Sequence, residues 1–241
     1  MALRRVDRRS VTDEVFDQLL ADMIDGELAA GEPLPSERRL AEVLGVSRPA
    51  VREAIQRMTH AGLVQVRQGG STVVRDYRRH AGLDLLPRLL LPAGQPDPAV
   101  ARSILEARLY VGPKVAMLAA ERGGTRLADA LTAAVDALDA ATGDAVAQQQ
   151  HALTFWDHVV DGADSIAFRL MFNGLRAAYE PAIEALATAM AAEVSRVENY
   201  RALADAIVAG DADAARTAAL DLLSPATAAM MSVLDRLEQE S

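Results

Sequence analysis

The sequence contains no cysteine, and this absence excludes two classes of site. Disulfide bonds cannot form, and thiolate ligands for a metal ion or cluster are missing. A chain without cysteine also fits a reducing compartment. We therefore expect a cytoplasmic protein.

Long apolar segments are also scarce. The basic start MALRRVDRRS is not followed by the apolar run that a signal peptide requires. The most apolar stretch outside the predicted domains, LDLLPRLLL, is interrupted by Asp84, Pro87 and Arg88 and is shorter than the roughly 20 residues needed to cross a bilayer. We expect neither secretion nor a membrane span.

Catalytic patterns are missing as well. No Ser/His/Asp or Cys/His arrangement stands in a plausible context, and no glycine-rich phosphate loop is found. One alternative is that the second half of the chain is an enzyme or a ligand carrier, with the first half as a targeting module. Since no residue pattern supports catalysis, we expect a protein that is not an enzyme.

Charge is distributed unevenly along the chain, whose net charge is −9. Residues 1–80 carry 13 arginines against 12 acids, whereas the rest carries 12 basic and 22 acidic residues. Between residues 38 and 67 the only acids are Glu42 and Glu53. A local basic cluster of this kind is the electrostatic footprint of a nucleic-acid-binding domain. Its arginines are Arg38, Arg39, Arg48, Arg52, Arg57 and Arg67.

The first 76 residues predict two short helices, joined by a tight turn, after an initial helix. Ser36 is placed to cap the second helix, which Gly45 ends, and Ser47 is placed to cap the third. Proline is tolerated in the first turn of a helix, so Pro49 does not interrupt the third one. The order helix, helix, tight turn, helix is typical of a helix-turn-helix.

The third helix has one apolar face and one polar face. Four apolar residues recur at positions i, i+3, i+4 and i+7, which leaves Arg48, Arg52 and Gln56 on the outer side. The strand candidates LVQVR and STVV follow, on either side of Gly69-Gly70, a dipeptide suited to a tight hairpin. The hairpin completes a winged helix-turn-helix. The four apolar residues are Val51, Ala54, Ile55 and Met58.

The fold class is therefore mainly α. A winged helix-turn-helix DNA-binding domain is expected over 1–76, a proline-rich linker and domain entry over 77–98, and an all-α domain over 99–241. Apolar periodicity predicts a bundle of six or seven helices in the last domain. The helical segments are expected near 99–122, 126–142, 144–161, 164–190, 192–209 and 211–238.

Residues 31–74, GEPLPSERRLAEVLGVSRPAVREAIQRMTHAGLVQVRQGGSTVV, closely resemble the DNA-binding signature of the GntR family of bacterial repressors. The resemblance includes LPSER, the GVSR turn, the VREA helix and AGLV before the wing. More loosely, LEARLYVGPKVAMLAA and AIVAGDADAAR resemble the FadR-type effector domain of that family. The resemblance implies a transcriptional regulator that binds duplex operator DNA, as a homodimer, under the control of a small molecule.

The resemblance also implies which residues contact DNA. Arginines before and on the outer face of the third helix can pair with phosphate or with guanine O6 and N7. An arginine on a helix face is more often plain solvent-exposed surface, and only the cluster in this frame favours a DNA contact. The wing tip would approach the minor groove. The expected DNA-binding residues are Arg38, Ser47, Arg48, Pro49, Arg52, Gln68 and Gly69.

Many FadR-type domains hold a divalent metal with one Asp and three His, and this chain departs from that pattern. The four positions carry Ala152, Trp156, Tyr200 and Leu222, which provide no ordinary metal ligands. His151 and His158 stand nearby but seven residues apart, which is not the i, i+4 spacing of local ligation. We therefore expect no metal and no other cofactor.

The same four residues, together with Arg108, make up the expected effector site. An apolar, aromatic lining favours an apolar ligand, and the resemblance to the metal-free branch of the family implies a long-chain fatty acyl-CoA or fatty acid. The resemblance also implies that Arg108 meets an acidic group of the effector. Two alternatives stay open: Arg108 pairs with Glu106 or Asp157, and the aromatic side chains of Trp156, Tyr179 and Tyr200 only fill the core. A further alternative is a sugar acid or short organic acid held through Arg108 and a metal.

Overall fold

The computed structural model describes residues 11–67, 70–92 and 97–240, with side chains as far as residue 236. The chain divides into two compact units, Met1–Gln95 and Pro96–Ser241. Each unit has a hydrophobic core of its own.

The first unit has the order of elements that the sequence predicted. Helices α1 (Val11–Ile24), α2 (Glu37–Leu44) and α3 (Arg48–His60) precede strands β1 (Val64–Val66) and β2 (Thr72–Val74). The strands are antiparallel, with Val64 opposite Val74. This is the winged helix-turn-helix, and the fold class is confirmed.

Capping residues define the start of α2 and the tight turn between α2 and α3. The side chain of Ser36 accepts a hydrogen bond from the backbone N–H of Arg39 at 3.3 Å, and that of Ser47 accepts one from Ala50 at 3.4 Å. Gly45 ends α2 in the left-handed region, at φ 66°. A residue with a side chain is strained there, so glycine allows the chain to turn at once into α3.

The core of the first unit lies under α3. Its four periodic apolar residues are all buried, while Arg48, Arg52 and Gln56 are exposed, as predicted. The four apolar residues of α3 pack against α1 and the strands. The partners from α1 are Val15, Phe16, Leu19, Leu20 and Met23.

The expected linker needs a correction. Instead of a free connection, residues 77–90 form α4 (Tyr77–His80), a 3-10 turn and α5 (Leu86–Leu90) within the first unit. Leu85 is buried in that unit's core, and Arg88 forms ion pairs with Asp13 and Asp17 of α1. Pro87 lies in the first turn of α5, where proline is tolerated, and Leu85 and Leu89 on either side of it cover the core.

The second unit is a bundle of helices, seven of which lie in the part of the chain that the structure describes. The longest are the first and the last, α6 (Pro98–Arg122) and α12 (Ala212–Glu240). Between them stand α7 (Ala128–Ala140), α8 (Ala145–Gly162), α9 (Ile166–Tyr179), α10 (Ile183–Val194) and α11 (Val197–Val208).

The single helix expected near 164–190 is in fact two. A 3-10 turn at Glu180–Ala182 separates α9 from α10. Pro181 lies in this turn, and it has no backbone N–H with which to continue the α-helical ladder. The break places α9 and α10 on two sides of one cavity.

One segment of the described residues, Ala212–Arg236 of α12, is long and apolar enough to cross a membrane by length and composition alone. The expectation of no membrane span stays a prediction. Several residues of α12 pack in the core of the second unit, among them Ala215, Ala219, Leu222 and Leu223. A core helix passes the same composition test, so burial explains the apolar character of α12.

Gly62, two residues after the end of α3, has a backbone conformation and a close neighbour that both require glycine. Its φ is +75°, and a Cβ at this position would lie 2.3 Å from the backbone oxygen of His80. We expect Gly62→Ala to lower the free energy of unfolding of the first unit by more than about 3 kcal/mol, the upper end for left-handed strain alone.

Gly26→Ala is the matched control, because Gly26 has φ +84° and nothing within 4 Å of its added Cβ. It should cost only about 1 kcal/mol. Urea unfolding of the full chain, monitored by circular dichroism, compares the two variants. Equal midpoints would show that the contact with His80 is unimportant.

Candidate DNA interface and effector cavity

The N-terminal end of α3 exposes several side chains that sequence analysis assigned to DNA. Ser47, Arg48 and Pro49 are all exposed. Since Ser47 accepts a hydrogen bond from the backbone of α3, its hydroxyl hydrogen is left to donate to a phosphate. Backbone N–H groups at a helix N-terminus attract anions as well. This end of α3 is therefore suited to a phosphate backbone.

Arg52, one turn further along α3, is held by Glu37 at the start of α2. Its Nε donates to both carboxylate oxygens at 3.2 Å, and its Nη2 donates to Oε2 at 2.9 Å. This hydrogen bonding lowers the pKa of Glu37 and raises that of Arg52. The Nη1 side of the guanidinium remains available. Glu37 was not singled out from the sequence, although its position in LPSER could have suggested a role.

Arg38 lies on α2, and its surroundings differ from those of Arg52. Its Nη1 lies 3.3 Å from Oε1 of Glu42, and both side chains are exposed. Such an exposed pair contributes at most about 1 kcal/mol, so Arg38 can exchange Glu42 for a phosphate at little cost.

The wing is described only in part, because Gln68 and Gly69 lie outside the described residues. The backbone N–H of Arg67 donates to the carbonyl of Ser71 at 2.9 Å, which continues the pairing of β1 and β2 toward the tip. Gly70 has φ +87°, as a tight turn requires. The position of the tip relative to a minor groove stays a prediction.

The second unit contains an apolar cavity of about 130 Å³. Helices α6, α8, α9 and α10 supply nearly all of its lining, and α12 adds Leu223. Gly112 of α6 allows a close approach here, since a Cβ would lie 2.5 Å from a methyl group of Leu223. Lining side chains from α9, such as Met171, Phe172 and Leu175, are only partly buried.

The residues expected at the effector site separate into two groups. Arg108, Ala152 and Trp156 line the cavity. Tyr200 and Leu222 are fully buried in the core instead. The ring of Tyr200 packs edge-on against Phe155 at 5.1 Å, so for this residue the core-filling alternative describes its place.

Arg108 pairs with Glu193 of α10 rather than with either partner considered from the sequence. Its Nη2 donates to Oε1 of Glu193, which also accepts the hydroxyl of Tyr200 at 3.2 Å. Glu106 is exposed, and Asp157 pairs with Arg169 at 2.6 Å. No spacing rule links residues 85 positions apart, so the sequence contained no local signal for this pair.

Burial and the charge of Glu193 have opposite effects on the pKa of Arg108. Burial lowers the pKa of Arg108, but the charge and hydrogen bond of Glu193 outweigh it, so that the pKa is raised. Burial raises the pKa of Tyr200 and of Tyr179, which lines the cavity. Arg108 is therefore charged and both phenols are neutral at neutral pH.

The positions that hold the metal in many FadR-type domains bring no ligand set together here. Of the four, Ala152 and Trp156 line the cavity while Tyr200 and Leu222 lie in the core. Among the described residues, no group of three or more His, Asp or Glu is placed to hold a metal ion. His151 and His158 are partly buried on α8 and do not line the cavity.

Two family profiles match the chain, one in each unit. Residues 11–74 match the bacterial regulatory proteins of the gntR family, and residues 103–224 match the FCD domain. The chain belongs to the GntR family. The first match contains the whole helix-turn-helix with its wing, and the second contains every residue that lines the cavity.

Known relatives and solved structures agree with this assignment. The chain is 59% identical to the HTH-type transcriptional regulator Mce2R of Mycobacterium tuberculosis (strain CDC 1551 / Oshkosh) over 97% of each chain. It is 32% identical to an uncharacterized HTH-type transcriptional regulator of Mycobacterium tuberculosis (strain ATCC 25618 / H37Rv), over 95% of this chain and 94% of the relative. This GntR-family chain is thus a DNA-binding transcriptional regulator with an FCD effector domain, and not an enzyme.

One solved structure, of Lar, which controls the expression of the Listeria monocytogenes agr system, covers 93% of this chain and 98% of its own. Its TM-score is 0.59 and its identity 16%. At that identity the likeness shows a shared fold alone: an N-terminal winged helix-turn-helix followed by a helical domain.

Glu37 provides a test of how Arg52 is oriented. We expect Glu37→Gln to lower the ratio of specific to random DNA affinity by roughly three- to tenfold, because Arg52 loses the charged partner that fixes its guanidinium. Stability should change by less than about 1 kcal/mol, since the pair is largely exposed. Fluorescence anisotropy on a selected operator and on a random duplex measures the ratio.

Glu14→Gln is the control for net charge, because Glu14 is exposed on α1 and the substitution removes one negative charge from the same unit. If both variants tighten binding to the two duplexes equally, Glu37 acts only through its charge and does not position Arg52.

Proposed function

We propose that this regulator grips a palindromic operator as a cytoplasmic homodimer, with α3 of each protomer in a major groove. A fatty acyl compound, a long-chain acyl-CoA or a fatty acid, enters the cavity of the second unit and changes the affinity for DNA. The seven residues expected at the DNA interface from the sequence are part of this proposal.

The apolar cavity is the observation that carries the choice of effector. Most of its lining is aliphatic or aromatic, and Ala152 and Trp156 stand at two positions that hold metal ligands in many FadR-type domains. An apolar pocket with a few polar groups is the usual form of a small-molecule site. A ligand dominated by hydrocarbon matches it better than a sugar acid does.

Cavity size bears on how a long chain would fit. A volume of about 130 Å³ resembles that of an engineered cavity, about 150 Å³, that binds benzene. A long acyl chain therefore extends beyond this space, toward the partly buried side chains of α9. Met171 and Met190 both line the cavity, and the flexible methionine side chain adapts to a ligand more easily than branched residues do.

The alternative, a sugar acid or short organic acid bound through a metal, finds less support. Glu193 already compensates the charge of Arg108, and the metal positions lack ligands. Elemental analysis of the purified protein separates the two proposals. Stoichiometric zinc or nickel would overturn the acyl effector in favour of the acid.

Regulation follows from a shift between two populations. The effector can change DNA binding only if its affinity differs between the conformation that fits both half-sites and another that does not. Because α9 and α10 lie on two sides of the cavity, filling it acts on helices of the second unit directly.

Arg48 and Arg52 are the residues with which to test base readout. We expect Arg48→Ala and Arg52→Ala each to weaken binding of an operator obtained by in vitro selection by about 1–3 kcal/mol, with a smaller loss on random duplex. Arg216→Ala removes an exposed arginine from the second unit and should change neither affinity. An equal loss on both duplexes would assign these arginines to the phosphate backbone only.

Acyl-CoA titration tests the effector. We expect palmitoyl-CoA to change the operator affinity of the full-length dimer about tenfold, a usual magnitude of allosteric coupling, while coenzyme A alone has no effect. Anisotropy of a labelled operator reports the change. If no acyl compound alters DNA affinity, the acyl effector is wrong, although DNA binding itself stands.

A further inference from the structure

The cavity has an unusual concentration of unsatisfied polar atoms. Across the described residues, four buried side-chain nitrogen or oxygen atoms lack a hydrogen-bond partner, and three belong to residues that line it. They are Arg108 Nη1, Trp156 Nε1 and Glu193 Oε2. The fourth, Gln148 Nε2, is outside the lining. An unsatisfied buried polar atom is costly, so three of them on residues that line the same cavity favour a ligand that supplies their partners.

These three atoms define the chemistry of that partner. Arg108 Nη1 and Trp156 Nε1 can only donate hydrogen bonds, and the carboxylate oxygen of Glu193 can only accept one. A group that satisfies all three must accept two hydrogen bonds and donate one. A carboxamide does so with its carbonyl and its N–H, and a hydroxyl does so with its two lone pairs and its O–H.

Charge compensation disfavours an acidic group at the same place. The positive charge of Arg108 is already paired with Glu193, whose side chain is 1% exposed. The other cation in the lining, Arg176, pairs with Glu180 at 2.7 Å and lies 3.6 Å from Asp157. A ligand carboxylate near Glu193 would bury a second negative charge without a cation of its own, and such a charge is strongly disfavoured.

The other polar side chains of the cavity are already satisfied by one another. Tyr179 donates its hydroxyl to Oε1 of Gln149, whose Nε2 donates to the carbonyls of Ala145 at 3.0 Å and Ile183 at 3.1 Å. The recognition of a polar group therefore falls to the trio Arg108, Trp156 and Glu193.

We propose that the Arg108, Trp156 and Glu193 trio recognises a neutral ligand group that both accepts and donates hydrogen bonds, a carboxamide or a hydroxyl, attached to a hydrocarbon body. This inference rests on the proposed function, because it names the polar part of a ligand that occupies the same cavity. Within the proposed acyl class it selects thioesters with an amide-bearing carrier over free fatty acids, whose carboxylate is ionised at neutral pH.

A series of eight-carbon ligands that differ only in the polar group tests the proposal on the wild-type protein. Trp156 is the only tryptophan of the chain and lines the cavity, so its fluorescence reports occupancy without DNA. At neutral pH we expect octanamide and 1-octanol to bind about tenfold or more tightly than octanoate, which buries an uncompensated charge. Methyl octanoate, neutral but without a donor, should bind more weakly than octanamide.

Glu193→Gln should change this order, because it leaves Arg108 without a carboxylate. In this variant we expect the ratio of the octanoate Kd to the octanamide Kd to fall about tenfold or more, as the ligand carboxylate takes the place of Glu193. Glu198→Gln is the matched control: Glu198 is exposed on α11, away from the lining, and the ratio should not change. The wild-type series stands by itself if the Glu193 variant does not fold.

Three results would count against these ideas in different ways. Octanoate binding as tightly as octanamide to the wild-type protein overturns the neutral group but leaves an apolar effector in place. Equal binding of methyl octanoate and octanamide overturns the role of Glu193 as acceptor. If no ligand of the series changes the fluorescence of Trp156 or the thermal unfolding midpoint, the cavity is not the effector site, and the effector part of the proposed function fails while operator binding stands.

Discussion

The ion pair between Arg108 and Glu193 is the interaction on which the effector domain depends. It joins α6 to α10 across the cavity, and Glu193 also receives the hydroxyl of Tyr200. Removing Glu193 would leave the guanidinium without a carboxylate in a poorly hydrated place, which is strongly destabilising, so the pair favours contact between these two helices. A ligand that bonds to the free atoms of the pair adds to this contact instead of replacing it.

The DNA-binding unit has an ion pair between the same two residue types, but that pair is exposed to water. Arg52 is paired with Glu37 at the surface, where water screens the charges and the pair can open when DNA approaches. Arg108 is paired where water is scarce, so its partner decides which ligand charge is tolerated. The same two side-chain types thus form an exposed pair at the candidate DNA interface and a buried pair beside the candidate effector cavity.

The four positions that hold metal ligands in many FadR-type domains have different surroundings in this protein. Ala152 opens space in the cavity and Trp156 adds an indole N–H, whereas Tyr200 and Leu222 fill the core. Two of the changes therefore shape a binding site, and two maintain packing density around it. Close packing leaves few voids in a protein interior, so the cavity that persists beside a well-filled core is the natural place for a ligand.

Local patterns in the sequence determined the winged helix-turn-helix, its caps at Ser36 and Ser47 and the outward direction of Arg48 and Arg52, because helical periodicity and capping act over a few residues. Tertiary structure alone decided that residues 77–90 fold onto the first unit, that Glu193 meets Arg108, and that Tyr200 is in the core. These outcomes depend on contacts between distant segments, and neither spacing nor composition encodes which buried side chains come within reach of one another.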